Sequence, residues 1–354
     1  MTILVTGGNG FVMSNVVRHW LESDPAEDVV ILDAAPADDI ARRFFAGVAS
    51  RIEWSESSIL DRDHWAPLLA GCGITRIVHG ATLTPHPFVA ADGMPRDPER
   101  EGPQRIIDVN LMGTVALLEW ARSLPGLQRF LYVSTGSVYR DDGPAEHGRP
   151  LPEDGYVGPT TLYGISKYAA EMVVQRCSEL FGLSVVSVRL ASVYGPMDRE
   201  TSSRHVRCMP WKVAHLALAG EELRANAYDG VGDGIHAADV AAAIALLLRA
   251  PAPRHPVYNV ASGRAETIGT LLAIAGEKLP VKARQCARSE ANLVGDPDRR
   301  QGQWGAYDIA RLSGELGWRP APLRQRFHDY IDWLREFEPE AVKPGLLAVA
   351  AGAR

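Results

Sequence analysis

Cysteine is scarce. The 354 residues contain four, Cys72, Cys177, Cys208 and Cys286, all widely separated. They form no CxxC pair and no metal-ligand spacing, which argues against a disulfide framework or a structural zinc site. Reduced thiols in a cytoplasmic protein are the expectation, with no metal. Long apolar runs are also missing, and none approaches the roughly 20 residues that a bilayer-spanning helix needs. An excess of positive charge is absent. Thirty-seven Lys and Arg stand against 43 Asp and Glu, a net charge of −6. No basic stretch is dense enough to suggest a nucleic-acid groove. No charged leader precedes the first apolar residues, so a signal peptide is not expected. Neither membrane nor nucleic acid is therefore an expected partner. What remains is ordinary globular composition, 46% hydrophobic and 23% charged, in a chain long enough for more than one domain.

The first half alternates short β-branched runs with amphipathic stretches. Ile3–Val5, Val29–Leu32, Ile77–His79, Phe130–Val133 and Val185–Arg189 read as strands, and the segments near 11–22, 63–70, 105–123 and 161–181 read as helices. Such alternation predicts an α/β fold, a Rossmann-type doubly wound parallel sheet covered on both faces. After about residue 190 the elements become shorter and richer in Pro and Gly. The expectation is a nucleotide-binding domain over 1–190, with returning segments near 235–248 and 257–260. A smaller mixed α/β substrate domain is expected over 191–339, and a frayed tail over 340–354. The stretch 82–104 has no clear period and reads as a long loop of the kind that forms functional lids.

Gly7-Gly8-Asn9-Gly10-Phe11-Val12-Met13 follows the first strand and opens a helix. Glycines there let the backbone approach a pyrophosphate, and the helix N-terminus presents free N–H groups to it. About 20 residues on, the second strand ends in Asp33. An acid there accepts hydrogen bonds from ribose hydroxyls and repels a 2′-phosphate, which favours NAD over NADP. Tyr163 and Lys167 are four residues apart at the start of a helix and so share one face. A phenol is a poor base at neutral pH, and a neighbouring ammonium lowers its pKa. Tyr163 would then accept the proton of a substrate hydroxyl as hydride leaves for the cofactor, and Lys167 could also hold the nicotinamide ribose.

With these motifs in place the chain resembles the extended short-chain dehydrogenase/reductase family, in its NAD-dependent epimerase/dehydratase group. The resemblance extends to Ile235-His236-Ala237-Ala238-Asp239-Val240, Tyr258-Asn259-Val260 and Glu315-Leu316-Gly317-Trp318. It implies that Gly7, Asn9, Gly10, Phe11, Val12 and Asp33 contact the cofactor. It adds Ser58 and Ile59 at the adenine, and Gly80, Ala81 and Thr82 in the turn after His79, itself a structural residue. Val133, Ser134 and Val193 follow at the strand ends near the nicotinamide. Thr135 is implied as the hydroxyl that orients the substrate alcohol, with Ser137 close by, and Asn110 as a catalytic residue that braces the active-site helix and can anchor a water. The family often forms a homodimer through the helices near 105–123 and 161–181.

The departures carry information as well. Met13 replaces the third fingerprint glycine, so altered helix packing is expected without loss of binding. Ser58 replaces an Asp. Ser192 and Gly232 stand where nucleotide-sugar enzymes of the family carry an Asn and an Arg, which removes a bidentate phosphate clamp. Arg299 and Arg300 resemble the other arginine anchor, so Ser192, Arg299 and Arg300 join Thr135 and Ser137 as the substrate-binding set. Gly136 and Ser137 replace the Asp-Glu pair of the sugar 4,6-dehydratases, which speaks against dehydration. The expected activity is an NAD-dependent oxidoreductase that moves hydride between a secondary alcohol or ketone of a small sugar-like or sugar-acid substrate and the nicotinamide. An NAD-retaining sugar or nucleotide-sugar epimerase is the alternative, since both share the first hydride step. A non-catalytic dinucleotide sensor is the third reading.

Overall fold

Aliphatic and β-branched runs in the first 190 residues pair edge to edge in one parallel sheet. A computed structural model describes residues 1–337 apart from 91, 140–149, 202 and 296–305. The strands are β1 (Thr2–Thr6), β2 (Asp28–Asp33), β3 (Ile52–Glu56), β4 (Ile74–His79), β5 (Arg129–Thr135), β6 (Val185–Leu190) and β7 (Val257–Val260). They lie in the order β7-β6-β5-β4-β1-β2-β3, all parallel. This is the doubly wound topology expected from the sequence. β3 was not expected; its run Ile-Glu-Trp-Ser-Glu is half polar because it lies at the sheet edge.

Alternation along the strands sends side chains into two cores. Ile3, Val5, Val29, Ile31, Leu131 and Val133 pack against α1 (Phe11–Ser23) and against the later helix Ala237–Arg249. Leu4, Val30, Leu32, Ile77, Phe130 and Tyr132 pack on the other face against α2 (Gly113–Ala121) and α3 (Leu162–Phe181). Fully burying each aliphatic side chain contributes roughly 1.5–3 kcal/mol. Strands buried on both faces read as continuous apolar runs, which is why the sequence displayed them clearly.

The order in which strands are added reverses at β1, whose neighbours are β2 on one side and β4 on the other. Ligands of such sheets bind in the crevice outside the strand ends at that point. A third apolar cluster, including Tyr194, Val213, Leu216, Ile268, Leu271, Phe327 and Tyr330, gathers helices 209–218, 268–276 and 323–337 beyond it. The last of these runs 15 residues, so the later elements are not uniformly short. Within 82–104 the loop holds a two-residue hairpin, Phe88–Val89 with Pro95–Arg96, and a short helix, Pro98–Glu101.

The stretch 105–123 is not one regular helix. Pro103–Ile107 is followed by a π-helical turn, Asp108–Met112, before α2 begins. The wider turn places Asn110 in the interior, 1% exposed, and such turns commonly mark functional positions.

Candidate active site

The ends of β1, β4, β5 and β6 open onto a cleft of about 1240 Å³. At one end is the glycine turn. Gly7 adopts φ +73°, and a Cβ there would come within 3.0 Å of the Ala81 backbone, so only glycine suits both the conformation and the approach. The Gly10 N–H donates to the Gly7 carbonyl, and the free N-terminus of α1 at Phe11 and Val12 faces the cleft. Asp33 accepts hydrogen bonds from the backbone N–H groups of Asn9 and Ala35, each at 3.0 Å. Burial raises its carboxyl above the usual range, while these N–H groups and the Arg199 charge act to lower it.

Met13 is buried against Gly80. A Cβ on Gly80 would sit 2.3 Å from the Met13 sulfur. The bulk added at the fingerprint is thus accommodated by a glycine on the facing turn. Ile59 is buried and lines the cleft, its branch seated against the Gly113 backbone. Ser58 is exposed at the cleft wall and closes its own turn by accepting from the Leu60 N–H at 3.3 Å. His79 bridges the Thr6 and Thr114 hydroxyls at 2.7 and 2.9 Å, and burial lowers its imidazole to about 3, a structural role.

Thr135, Tyr163 and Lys167 line the opposite end. Thr161 caps α3 by accepting from the Gly164 N–H at 3.1 Å. Gly164 lets the helix close onto the Ser137 carbonyl, which a Cβ would approach to 2.5 Å. Lys167 is 2% exposed, with its ammonium 4.3 Å from the centre of the Tyr132 ring. Burial lowers it to about 7, and Glu171 acts to raise it. Glu171 is itself held by Arg189 in a buried pair at 2.6 Å. Burial raises the Tyr163 phenol above its ordinary range; the Thr135 hydroxyl and the Arg204 charge act to lower it. The net direction is opposite to the lowering expected from Lys167, because burial outweighs the charges. The Ser137 N–H donates to Thr135 Oγ1 at 3.2 Å, and Ser137 is exposed at the cleft.

The Asn110 side chain makes no hydrogen bond to the side chains of Tyr163 or Lys167 among the described residues; it ties two segments together. Its oxygen accepts from the Thr82 hydroxyl and the Leu83 N–H at 3.0 and 2.8 Å. Its nitrogen donates to the Leu83 carbonyl and the Ser166 hydroxyl, both at 3.1 Å. Both amide protons are in use, so Asn110 braces α3 through protein groups.

Ser192 and Val193 begin a short strand that pairs with Gly234–His236 and line the cleft beside Gly232. Val133 and Ser134 line it at the end of β5. Arg299 and Arg300, and the tail 340–354, lie outside the described residues. Sequence reading missed His86, Arg199, Arg204, Arg207 and Tyr307, all at the cleft. The three arginines fall within nine residues of a loop, the one local signal available. Tyr307 places its hydroxyl over Gly136, where a Cβ would meet it at 2.1 Å.

The family described as NAD-dependent epimerase/dehydratase matches residues 3–261. The chain belongs to this family. It is an enzyme of the family's NAD-dependent type. It is 27% identical to a UDP-glucose 4-epimerase of Streptomyces lividans, over 90% of this chain and 91% of that one. It is 30% identical to a dTDP-glucose 4,6-dehydratase of Xanthomonas campestris pv. campestris, over 94% and 92%. The structure of a UDP-glucose 4-epimerase from Thermotoga maritima with UDP-glucose superposes with a TM-score of 0.74 at 24% identity, covering 95% of this chain and 99% of that one. The family's cofactor suits the cleft. Asn9 Oδ1 and Ser134 Oγ are buried at its wall without a hydrogen-bond partner among the described residues. Such orphans mark where a polar ligand belongs.

Proposed function

We propose that the enzyme transfers hydride between the secondary carbinol carbon of a small sugar-like or sugar-acid substrate and NAD, with Tyr163 as the acid/base. One observation carries this reading. Thr135, Tyr163 and Lys167 stand at one end of a cleft whose other end is the glycine turn and Asp33. Gly7, Asn9, Gly10, Phe11, Val12 and Asp33 would hold the adenosine and pyrophosphate, with Ser58 and Ile59 at the adenine. Gly80, Ala81, Thr82, Val133, Ser134 and Val193 would line the nicotinamide half. When bound, NAD supplies the hydride acceptor. Thr135 and Tyr163 orient the substrate hydroxyl, and Tyr163 Oη takes its proton as the carbon–oxygen double bond forms. Lys167, poised near pH 7, supplies a positive charge that favours the phenolate form of Tyr163, the form that accepts this proton. In the reverse direction Tyr163 returns the proton. Ser137 and Ser192 would contact substrate, joined by Arg299 and Arg300. Asn110 serves the same site by position.

The reading includes a cytoplasmic homodimer, supported by exposed Ile165, Met172 and Leu180 on α3 and exposed Met112 in the π turn. No helix of the described residues is long and apolar enough to cross a membrane. It also divides the chain into a nucleotide-binding unit, 1–190 with 235–248 and 257–260, and a substrate unit, 191–339.

The Tyr163→Phe variant tests the mechanism. It should bind NAD as the wild type does and lose about 10²–10⁴-fold in turnover; unchanged turnover would refute the role. NADH accumulating at 340 nm marks a dehydrogenase. Isomer formation without accumulation marks the epimerase, the activity named for the Streptomyces lividans relative.

A further inference from the structure

The loop after Pro196 brings an arginine into the cleft, between the glycine turn and Tyr163. Arg204 donates to the buried Asp198 carboxylate through Nε at 2.9 Å and Nη2 at 3.3 Å. Its guanidinium carbon lies 5.0 Å from the centre of the Phe11 ring. Asp198 therefore fixes one edge of the planar fork. Among the described residues no hydrogen bond occupies Nη1, and Arg204 lines the cleft. Arg204 and Arg207 both act electrostatically on Asp198, so this corner carries two cations around one buried anion.

The 82–104 segment roofs the same corner. The Thr84 N–H and hydroxyl both donate to the Ser203 carbonyl, at 3.2 and 2.6 Å. Phe88 stacks on His205 at 3.7 Å. Between these contacts the roof places the His86 ring 6.2 Å from the Tyr163 ring. Burial and the Arg204 charge hold His86 below the usual imidazole range. It adds a polar edge and no charge at neutral pH, so the positive field there comes from arginine. The other cleft arginine near the cofactor turn, Arg199, is engaged by Asp38 and the Asn9 carbonyl.

A guanidinium held by Asp198 along one edge, in the cleft that also holds Tyr163, keeps a second edge that matches a carboxylate, which takes two parallel N–H donors. Its position says where on the substrate that anion must be. In a nucleotide sugar oxidised at C4, the diphosphate leaves from the opposite side of the hexose ring. A substrate anion that meets Arg204 while the reacting hydroxyl meets Tyr163 and Thr135 therefore lies nearer the reacting carbon than that diphosphate does.

We propose that Arg204 is a substrate-binding residue that takes a carboxylate on a carbon adjacent to the one oxidised, beneath the roof formed by Thr84, His86 and Phe88. The substrate class is then hydroxy acids, including uronic acids. This deepens the hydride-transfer reading and rests on it.

The test titrates NAD-loaded protein calorimetrically with tartrate, gluconate and galacturonate, each beside its neutral counterpart threitol, sorbitol or galactose. Wild type should bind at least one acid at least about tenfold more tightly than its counterpart. Arg204→Met should erase that preference and leave NAD affinity unchanged; Arg204→Lys should restore part of it. Because Arg204→Met strands the Asp198 carboxylate, the Arg204→Met/Asp198→Asn double variant is measured alongside and should behave in the same way. The proposal is overturned by the absence of any acid preference or by a preference that survives in the folded variants. It is equally overturned by loss of NAD affinity in them, which would assign the guanidinium to the cofactor pyrophosphate. The hydride-transfer reading fails separately, if wild type does not bind NAD or Tyr163→Phe keeps full turnover.

Discussion

Lys167 is placed for chemistry at a cost in stability, and replacing it with methionine measures that cost. The unfolded chain holds this ammonium at the ordinary 10.5, and the fold lowers it to about 7. Between those values the unfolded chain binds one more proton than the fold, so wild-type stability rises with pH across the window and the penalty is fully present below pH 7. At 1.36 kcal/mol for each pH unit between the two values, the penalty at pH 7 is roughly 4 kcal/mol. Methionine keeps most of the stem and removes the charge. It also removes the cation–π contact with Tyr132, worth about 1–2 kcal/mol when desolvated. The Lys167→Met variant should therefore be more stable than wild type at pH 7 by about 2–3 kcal/mol. At about 2.1 cal/mol/K per residue, that is about 3–4 °C in Tm. Calorimetric melts of NAD-free protein from pH 7 to 9.5 check this. The variant's advantage should shrink by about 1.4 kcal/mol per pH unit above pH 7, while its turnover is largely lost. A variant less stable than wild type at pH 7, or an advantage that does not change with pH, would show that the buried ammonium carries no such penalty.

Gly80→Ala should destabilise by about 1–3 kcal/mol because its methyl would overlap Met13. Adding Met13→Ala should recover most of that loss, and urea titrations of the single and double variants would reveal the coupling. Asn110→Ala leaves the Leu83 N–H and carbonyl and the Ser166 hydroxyl short of a partner. It should cost about 2–4 kcal/mol and lower turnover more than NAD affinity, as denaturation and steady-state kinetics can show.

The parallel sheet was legible because its inner strands are apolar on both faces and alternate with helices. The edge strand β3 lacked that signature, and burial on one side leaves a half-polar pattern. The π turn at Asp108–Met112 was illegible because its apolar spacing differs little from that of a regular helix; the inward position of Asn110 depends on bonds to Leu83 and Ser166 from other segments. Met13 read as a perturbation. Its compensation lay 67 residues away at Gly80, in an unremarkable turn. The arginine loop read as polar connection, and its path along the cleft follows from Thr84 and Phe88 docking on Ser203 and His205.

By itself the sequence determined the fold, the NAD-type turn ending at Asp33, and the Tyr163–Lys167 pair, since each is written in spacing over a few residues or in a strand–turn–helix order. Tertiary structure decided how those groups behave. Burial moved Lys167 toward neutrality and raised Tyr163, reversing the shift that neighbouring charge alone would produce. Packing of the 82–104 segment onto the arginine loop brought Arg204 into the same cleft as Tyr163, 41 residues away along the chain. Desolvation and long-range electrostatics depend on what surrounds a group in space, and no local pattern encodes that.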